Sequence, residues 1–192
     1  MLDHSCQVQR HTLAERGDDL YETPEVAVHA LRKCEDLPQN IWEPACGPGK
    51  IVKVLRENNH TVYATDLVDY GCPDSEARID FLMTPLPQRP IEAIVTNPPF
   101  KLAQQFVQHA LDLGVPKVIM LLRLAFLESE RRTNILEASG LVRVHVFRRR
   151  LPMMHRAGWE GRKANSGMAF AWFVWDRVEI GPTELHRISW DR

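Results

Sequence analysis

The sequence predicts an α/β protein, a doubly wound sheet with helices on its faces, and three observations predict it. Short apolar runs alternate along the chain with stretches of helical periodicity, the pattern of a mostly parallel sheet. One run, Val118 to Leu122, is apolar at every position, as in the buried middle of such a sheet. The third is size: 192 residues, 44% hydrophobic and 26% charged, suit one domain with a sizeable core and are too few for two.

In chain order, residues 1–17 are polar and read as a flexible N-terminus, leaving 18–192 as a single domain. Asn40-Ile41-Trp42 is a short strand that runs into a glycine-rich turn. Lys50 to Asn58 has helical spacing, with Ile51, Val54 and Leu55 on one face. Thr61 to Ala64 forms a second strand ending at Thr65-Asp66, and Ile91 to Thr96 a third. Lys101 to Leu113 repeats apolar residues at Leu102, Phe106, Ala110 and Leu113, a helix. Val118 to Leu122 follows as a strand, and Val142 to Phe147 and Ala169 to Trp175 are two later ones.

Composition excludes several classes. No stretch approaches the roughly 18–20 apolar residues needed to span a bilayer, and the N-terminus is too polar for a signal peptide. Cys6, Cys34, Cys46 and Cys72 contain no CxxC pair, so they read as reduced thiols of a cytoplasmic protein. The eight histidines form no metal-spaced pair, and no metal is expected. The net charge of −1 hides an asymmetry. Residues 1–100 carry 9 basic and 16 acidic side chains, and residues 101–192 carry 15 and 9. The densest basic stretch holds Arg143, Arg148, Arg149, Arg150, Arg156, Arg162 and Lys163. It reads either as a surface that meets polyanions or as a solvated basic loop.

Ligands of doubly wound sheets sit beyond the carboxyl ends of the strands, and that rule selects three places. Glu43-Pro44-Ala45-Cys46-Gly47-Pro48-Gly49 lies between a strand and a helix, where Gly47 and Gly49 permit a tight turn and close approach of a ligand to the main chain. It lacks the spacing of a phosphate loop. Asp66 ends the next strand, where an acid accepts hydrogen bonds from ribose hydroxyls or caps a turn. Asp80-Phe81 pairs an acid, able to accept from an adenine amino group, with a ring able to cover the base. Beyond a further strand, Asn97-Pro98-Pro99-Phe100 is the most informative segment. Two prolines fix the backbone and remove its donors, leaving the Asn97 side-chain oxygen and the Pro98 carbonyl as acceptors. Two convergent acceptors suit a planar amino group, and Phe100 supplies a ring to stack on the base that carries it.

Together these segments resemble the class I S-adenosylmethionine-dependent methyltransferases that act on amino groups, especially the N6-adenine DNA methyltransferases in their gamma motif order. EPACGPG (43–49) is similar to their motif I, ATDL (64–67) to the acidic ribose motif, DF (80–81) to the adenine motif and NPPF (97–100) to the catalytic motif. Tyr21-Glu22-Thr23-Pro24 resembles the segment preceding motif I. The resemblance runs from about Tyr21 to Trp175. It implies S-adenosylmethionine as cofactor, held by Thr23, Glu43, Ala45, Gly47, Gly49, Asp66, Leu67, Asp80 and Phe81, with Asn97, Pro98, Pro99 and Phe100 holding the target amine. It implies a Rossmann-like seven-stranded sheet whose last strand, Ala169 to Trp175, is antiparallel. It also implies a second aromatic against an extruded base, for which Phe147 and Trp159 are the candidates, beside Arg148, Arg149 and Arg150 as substrate contacts.

Gamma-type enzymes usually add a target-recognition domain, and 17 residues after Trp175 cannot form one. Recognition then falls to the basic segment or to a partner subunit. The leading expectation is N6-adenine methylation of DNA. The alternatives are methylation of RNA bases or of protein glutamine, and a non-catalytic S-adenosylmethionine-binding subunit. C5-cytosine chemistry is disfavoured because the chain has no Pro-Cys dipeptide to supply a nucleophile.

Overall fold

The structure, a computed structural model, describes residues 22–153, 167–179 and 181–191. Its elements are α1 (Glu25–Arg32), β1 (Asn40–Glu43), α2 (Lys50–Glu57), β2 (Thr61–Asp66), β3 (Ser75–Ala77), β4 (Ala93–Thr96), α3 (Ala103–Asp112), β5 (Lys117–Arg123), β6 (Leu141–Phe147), β7 (Phe170–Asp176) and β8 (Glu184–Ile188). One sheet holds all eight strands in the order β3-β2-β1-β4-β5-β7-β6-β8. β1 pairs in parallel with β2 and β4, and β4 in parallel with β5. β7 runs antiparallel to both β5 and β6.

The doubly wound α/β fold expected from the alternation is present, and the strand at the C-terminal end of the resemblance is antiparallel. The expected count of seven strands is corrected to eight. β8 adds to β6 in parallel, from Arg143 opposite Glu184 to Phe147 opposite Ile188. It is mostly exposed, so it carries no apolar alternation to reveal it. β3 and α1 were also not expected, the first because it has only three residues, the second because it spans barely two turns.

Strand residues alternate between two cores. Ile41, Val62, Val95, Ile119, Leu121, Trp172 and Val174 pack with α1 and α2 on one face. Trp42, Ile94, Val118, Met120, Phe173 and Trp175 pack with α3 on the other. α2 buries Ile51, Val52, Val54 and Leu55, and α3 buries Ala103, Phe106, Val107, Ala110 and Leu111. Strand order reverses between β1 and β4, because the chain winds from β1 out to β3 and returns to β4 on the other side. A crevice opens at the carboxyl ends of strands flanking such a switch point. Among the described residues no helix is long and apolar enough to cross a membrane.

Candidate active site

The two loops that flank the switch point are residues 44–49 after β1 and 97–100 after β4. The first turns on two glycines with positive φ, Gly47 at 51° and Gly49 at 87°. At Gly49 the requirement is double: the conformation is left-handed, and a Cβ would lie 2.6 Å from Cys72 Sγ. Cys46 N–H donates to the Thr65 carbonyl (3.1 Å), and Gly49 N–H to the Cys46 carbonyl (2.8 Å). These bonds fold the loop against the end of β2.

Asp66 completes that anchorage. Its Oδ2 accepts the Gly47 N–H at 2.8 Å and its Oδ1 the Val68 N–H at 3.0 Å. Burial pushes its carboxyl above the usual aspartate range, while the N–H groups of Val68, Gly47 and Leu67 hold it back. Each oxygen keeps a second lone pair for a ligand hydroxyl. The structure shows the turn-cap role, and Asp66 lines the cleft.

Glu43 lies beneath this loop with no solvent exposure. Its Oε1 accepts the Thr96 hydroxyl at 2.5 Å, which ties the end of β1 to the end of β4. Its Oε2 is buried without a hydrogen-bond partner. Burial drives this acid well above the ordinary carboxylate range. The Thr96 hydroxyl and the Ala45 N–H oppose the rise, and the nearby Asp66 charge adds to it.

The second loop continues from Asn97 through two prolines into a single tight turn, Phe100–Leu102, and then α3. Leu102 N–H donates to the Pro99 carbonyl at 2.9 Å. Between the loops is a cleft of about 120 Å³. It brings Thr23, Ala45, Gly47, Asp66, Leu67, Asp80 and Phe81 together with Asn97, Pro98 and Pro99. Glu43 and Gly49 lie behind its wall, and Phe100 lies outside its lining. The Phe100 ring sits against Phe170 (centroids 5.5 Å apart) and under the Arg123 guanidinium. The cleft also includes Cys46, Tyr70 and Ile79, which the sequence did not single out. Tyr70 and Ile79 come from the irregular segments flanking β3, where no periodicity marks an inward face.

Asp80 is chiefly a cap: its Oδ1 accepts the Leu82 N–H at 3.0 Å and its carbonyl the Thr84 hydroxyl at 2.6 Å. Phe81 is 2% exposed and packs edge-on against Trp42 (5.1 Å) and His109 (4.9 Å). It closes the floor of the cleft from within the core. Phe147 is buried in the core with α1 and α2, so the expected exposed stacking ring is not at that residue. Arg148, Arg149 and Arg150 are exposed, and Arg149 pairs with Asp191 at 2.5 Å. Trp159, Tyr21, Arg156, Arg162 and Lys163 lie outside the described residues. Among the described residues no group of three or more His, Cys, Asp or Glu side chains is arranged to hold a metal.

Comparison with solved structures gives the arrangement a context. A protein from Listeria monocytogenes assigned as a class I S-adenosylmethionine-dependent methyltransferase superposes with a TM-score of 0.57 at 13% identity, over 85% of this chain and 62% of that one. The fold is that of the class I methyltransferases. A protein from Vibrio vulnificus assigned as the modification subunit of a type I restriction enzyme gives 0.56 at 15% identity, over 89% of this chain and 48% of that one. The 23S rRNA methyltransferase ErmE gives 0.54 at 15%, over 82% and 70%. The chain therefore spans about half to three fifths of the length of the first two proteins. No family model and no curated protein sequence matches it.

Proposed function

We propose that the chain is an S-adenosylmethionine-dependent methyltransferase that methylates an exocyclic amino nitrogen, N6 of adenine in DNA. One observation carries this reading: a single cleft joins a glycine loop clamped by Asp66 to the acceptor-rich Asn97-Pro98-Pro99 loop.

The residues present suit that cofactor. Gly47 and Gly49 turn the loop through positive φ, with Gly47 lining the cleft, and Asp66 offers lone pairs to ribose hydroxyls. Glu43, behind the wall, holds the end of β1 to the end of β4 and so fixes the spacing of the two loops. Thr23, Ala45, Leu67 and Asp80 line the rest of the wall. S-adenosylmethionine supplies an electrophilic methyl carbon on a sulfonium when bound.

The chain's own work is on the amine. The Asn97 side-chain oxygen and the Pro98 carbonyl accept its two N–H bonds and draw the nitrogen lone pair out of conjugation with the ring. The prolines hold the backbone that carries the Pro98 carbonyl in place before the substrate arrives, a condition for preorganised stabilisation of developing charge. No strong base is required, because the proton leaves to water after the nitrogen has acquired its methyl group.

The likeness to a restriction-modification subunit and the exposed Arg148–Arg150 run support a nucleic-acid substrate. Recognition of the target site then rests with residues 147–166 or with a partner subunit. The same two acceptors suit an amino group on an RNA base, a reading that the likeness to ErmE favours. The test is transfer of tritiated methyl groups to DNA, RNA and protein pools, followed by nucleoside analysis. N6-methyladenine in DNA is the expected product. Label confined to RNA or to protein glutamine would overturn the DNA assignment, and no label in any pool would overturn the enzymatic one.

A further inference from the structure

Arg123 ends β5 at the same edge of the sheet as the NPPF loop. Its guanidinium lies over the Phe100 ring, 4.2 Å from the centroid. Across the β5–β7 ladder it is directly opposite Phe170, whose ring also packs against Phe100. Opposed residues of an antiparallel pair project from one face, so Arg123 and Phe170 together form a seat for Phe100.

That guanidinium lacks a counter-charge. Its Nε is buried with no hydrogen-bond partner, and among the described residues no carboxylate pairs with it. Arg132, by contrast, also stacks on a phenylalanine, Phe126 at 4.4 Å. It spends its Nη1 on the carbonyls of Ala125, Phe126 and Glu128 and so braces that loop, although its Nε is likewise without a partner. Among the described residues the Arg123 side chain makes no hydrogen bond at all. A partly buried cation without a partner is costly. It also sits badly beside an amine that becomes positive as it takes a methyl group. A substrate oxyanion would remove both costs, and a guanidinium is the side chain best shaped to receive a phosphate.

Resting on the reading of Asn97–Phe100 as the amine-holding loop, we propose that Arg123 is a specificity-determining residue that receives a backbone phosphate of a polynucleotide while seating Phe100 against the target base. A phosphate-free protein substrate leaves this guanidinium unpaired, so the feature favours nucleic acid.

The experiment uses the full chain as wild type, Arg123→Met and Arg123→Lys, with a duplex oligonucleotide containing the unmethylated target adenine. A second set of duplexes carries a neutral methylphosphonate at each phosphate near the target in turn. Arg123→Met should raise the KM for DNA at least tenfold with kcat within threefold, and should reduce the log–log salt slope by about 0.9, the loss of one phosphate contact. One methylphosphonate should reproduce this defect in the wild type and add nothing to Arg123→Met. Arg123→Lys should keep the salt slope and recover part of the KM. Unchanged S-adenosylmethionine affinity and melting temperature would show the variants folded. If Arg123→Met does not fold, Arg123→Lys and the wild-type phosphonate scan decide. An unchanged salt slope, a fall in kcat at constant KM, or a wild type indifferent to every methylphosphonate would overturn the proposal. A wild type that labels protein and no nucleic acid would overturn the functional reading itself, a different and recognisable result.

Discussion

Replacing Asp66 by alanine tests the cofactor half of the cleft directly. The substitution removes two acceptors at once, those for the Gly47 N–H at 2.8 Å and the Val68 N–H at 3.0 Å, together with the lone pairs offered to ribose. Hydrogen bonds to a charged group are worth about 1.5–3 kcal/mol each. Burial already costs this carboxylate part of that gain, as its raised pKa shows, so one charge-assisted interaction's worth is the fair total for binding. That is about 1.5–3 kcal/mol, a loss of roughly 10- to 150-fold in affinity for S-adenosylmethionine. Calorimetry with S-adenosylmethionine, adenosine and methionine separates the contributions. Adenosine should lose affinity with the whole cofactor, and methionine should lose only what the loosened loop costs. Protonation gives a second handle. A ligand hydroxyl donates to the ionised carboxylate, so binding favours the ionised form, and wild-type affinity should fall as the pH drops through the raised Asp66 pKa, above the ordinary value of about 3.9. Asp66→Ala should show no such fall. Wild-type affinity in Asp66→Ala, or an equal loss for methionine and adenosine, would refute the ribose assignment.

Asn97→Ala should lower kcat by about 10²–10³, the scale of one preorganised hydrogen bond lost from a transition state, with cofactor affinity unchanged in calorimetry. Phe100→Ala should instead weaken substrate capture by roughly 1–3 kcal/mol, and a mismatched adenine should partly rescue it but not Asn97→Ala. Alanine at Arg148, Arg149 and Arg150 together should flatten the salt slope of DNA binding by up to about 3. An unchanged slope would leave the run a solvated face. Away from the cleft, burial would raise the Glu35 acid, but hydrogen bonds from His145 and Arg143 overcome it and hold the group at about 2. A depressed folded value stabilises above the unfolded value of about 4.3 and is lost as pH falls through about 2. Acid melts should therefore show a loss on the order of 3 kcal/mol across that window, absent in Glu35→Gln.

Elements marked by apolar runs or by helical spacing were legible from the sequence. Strands β1, β4, β5 and β7 are buried nearly throughout, β2 and β6 in part, and helices α2 and α3 along one face, and their observed bounds differ from the expected ones by two residues or fewer. Ser75–Ala77 and Glu184–Ile188 bury little, so no pattern announced them. The loops that hold Gly47, Gly49 and the NPPF segment were legible as turns because their backbone chemistry is local: a positive φ favours glycine, and a donor-free rigid loop needs proline. Direction is not local. Nothing adjacent to Phe81 or Phe147 tells whether the ring meets solvent or the core; that is set by Trp42 and His109 for the first and by the α1–α2 layer for the second. Long-range pairs were equally hidden. His145 meets Glu35 from 110 positions away (Nε2–Oε1 2.6 Å), and Arg123 reaches Phe100 only because β5 lies beside β4, from which the Phe100 loop leads.

The eighth strand bears on how the molecule behaves in company. Without it, β6 would be the margin of the sheet, and β6 is buried at Leu141, Val142, Val144, His145 and Phe147. A flat apolar margin with a row of vacant amides and carbonyls is a template for a second molecule, and it is how folded chains begin to aggregate. β8 occupies that row along five residues and moves the margin outward to a short strand bearing Glu184, His186 and Arg187, all exposed. Charged, abbreviated margins pair poorly with one another. A strand that adds little to the core thus covers an apolar margin that would otherwise be a template for association.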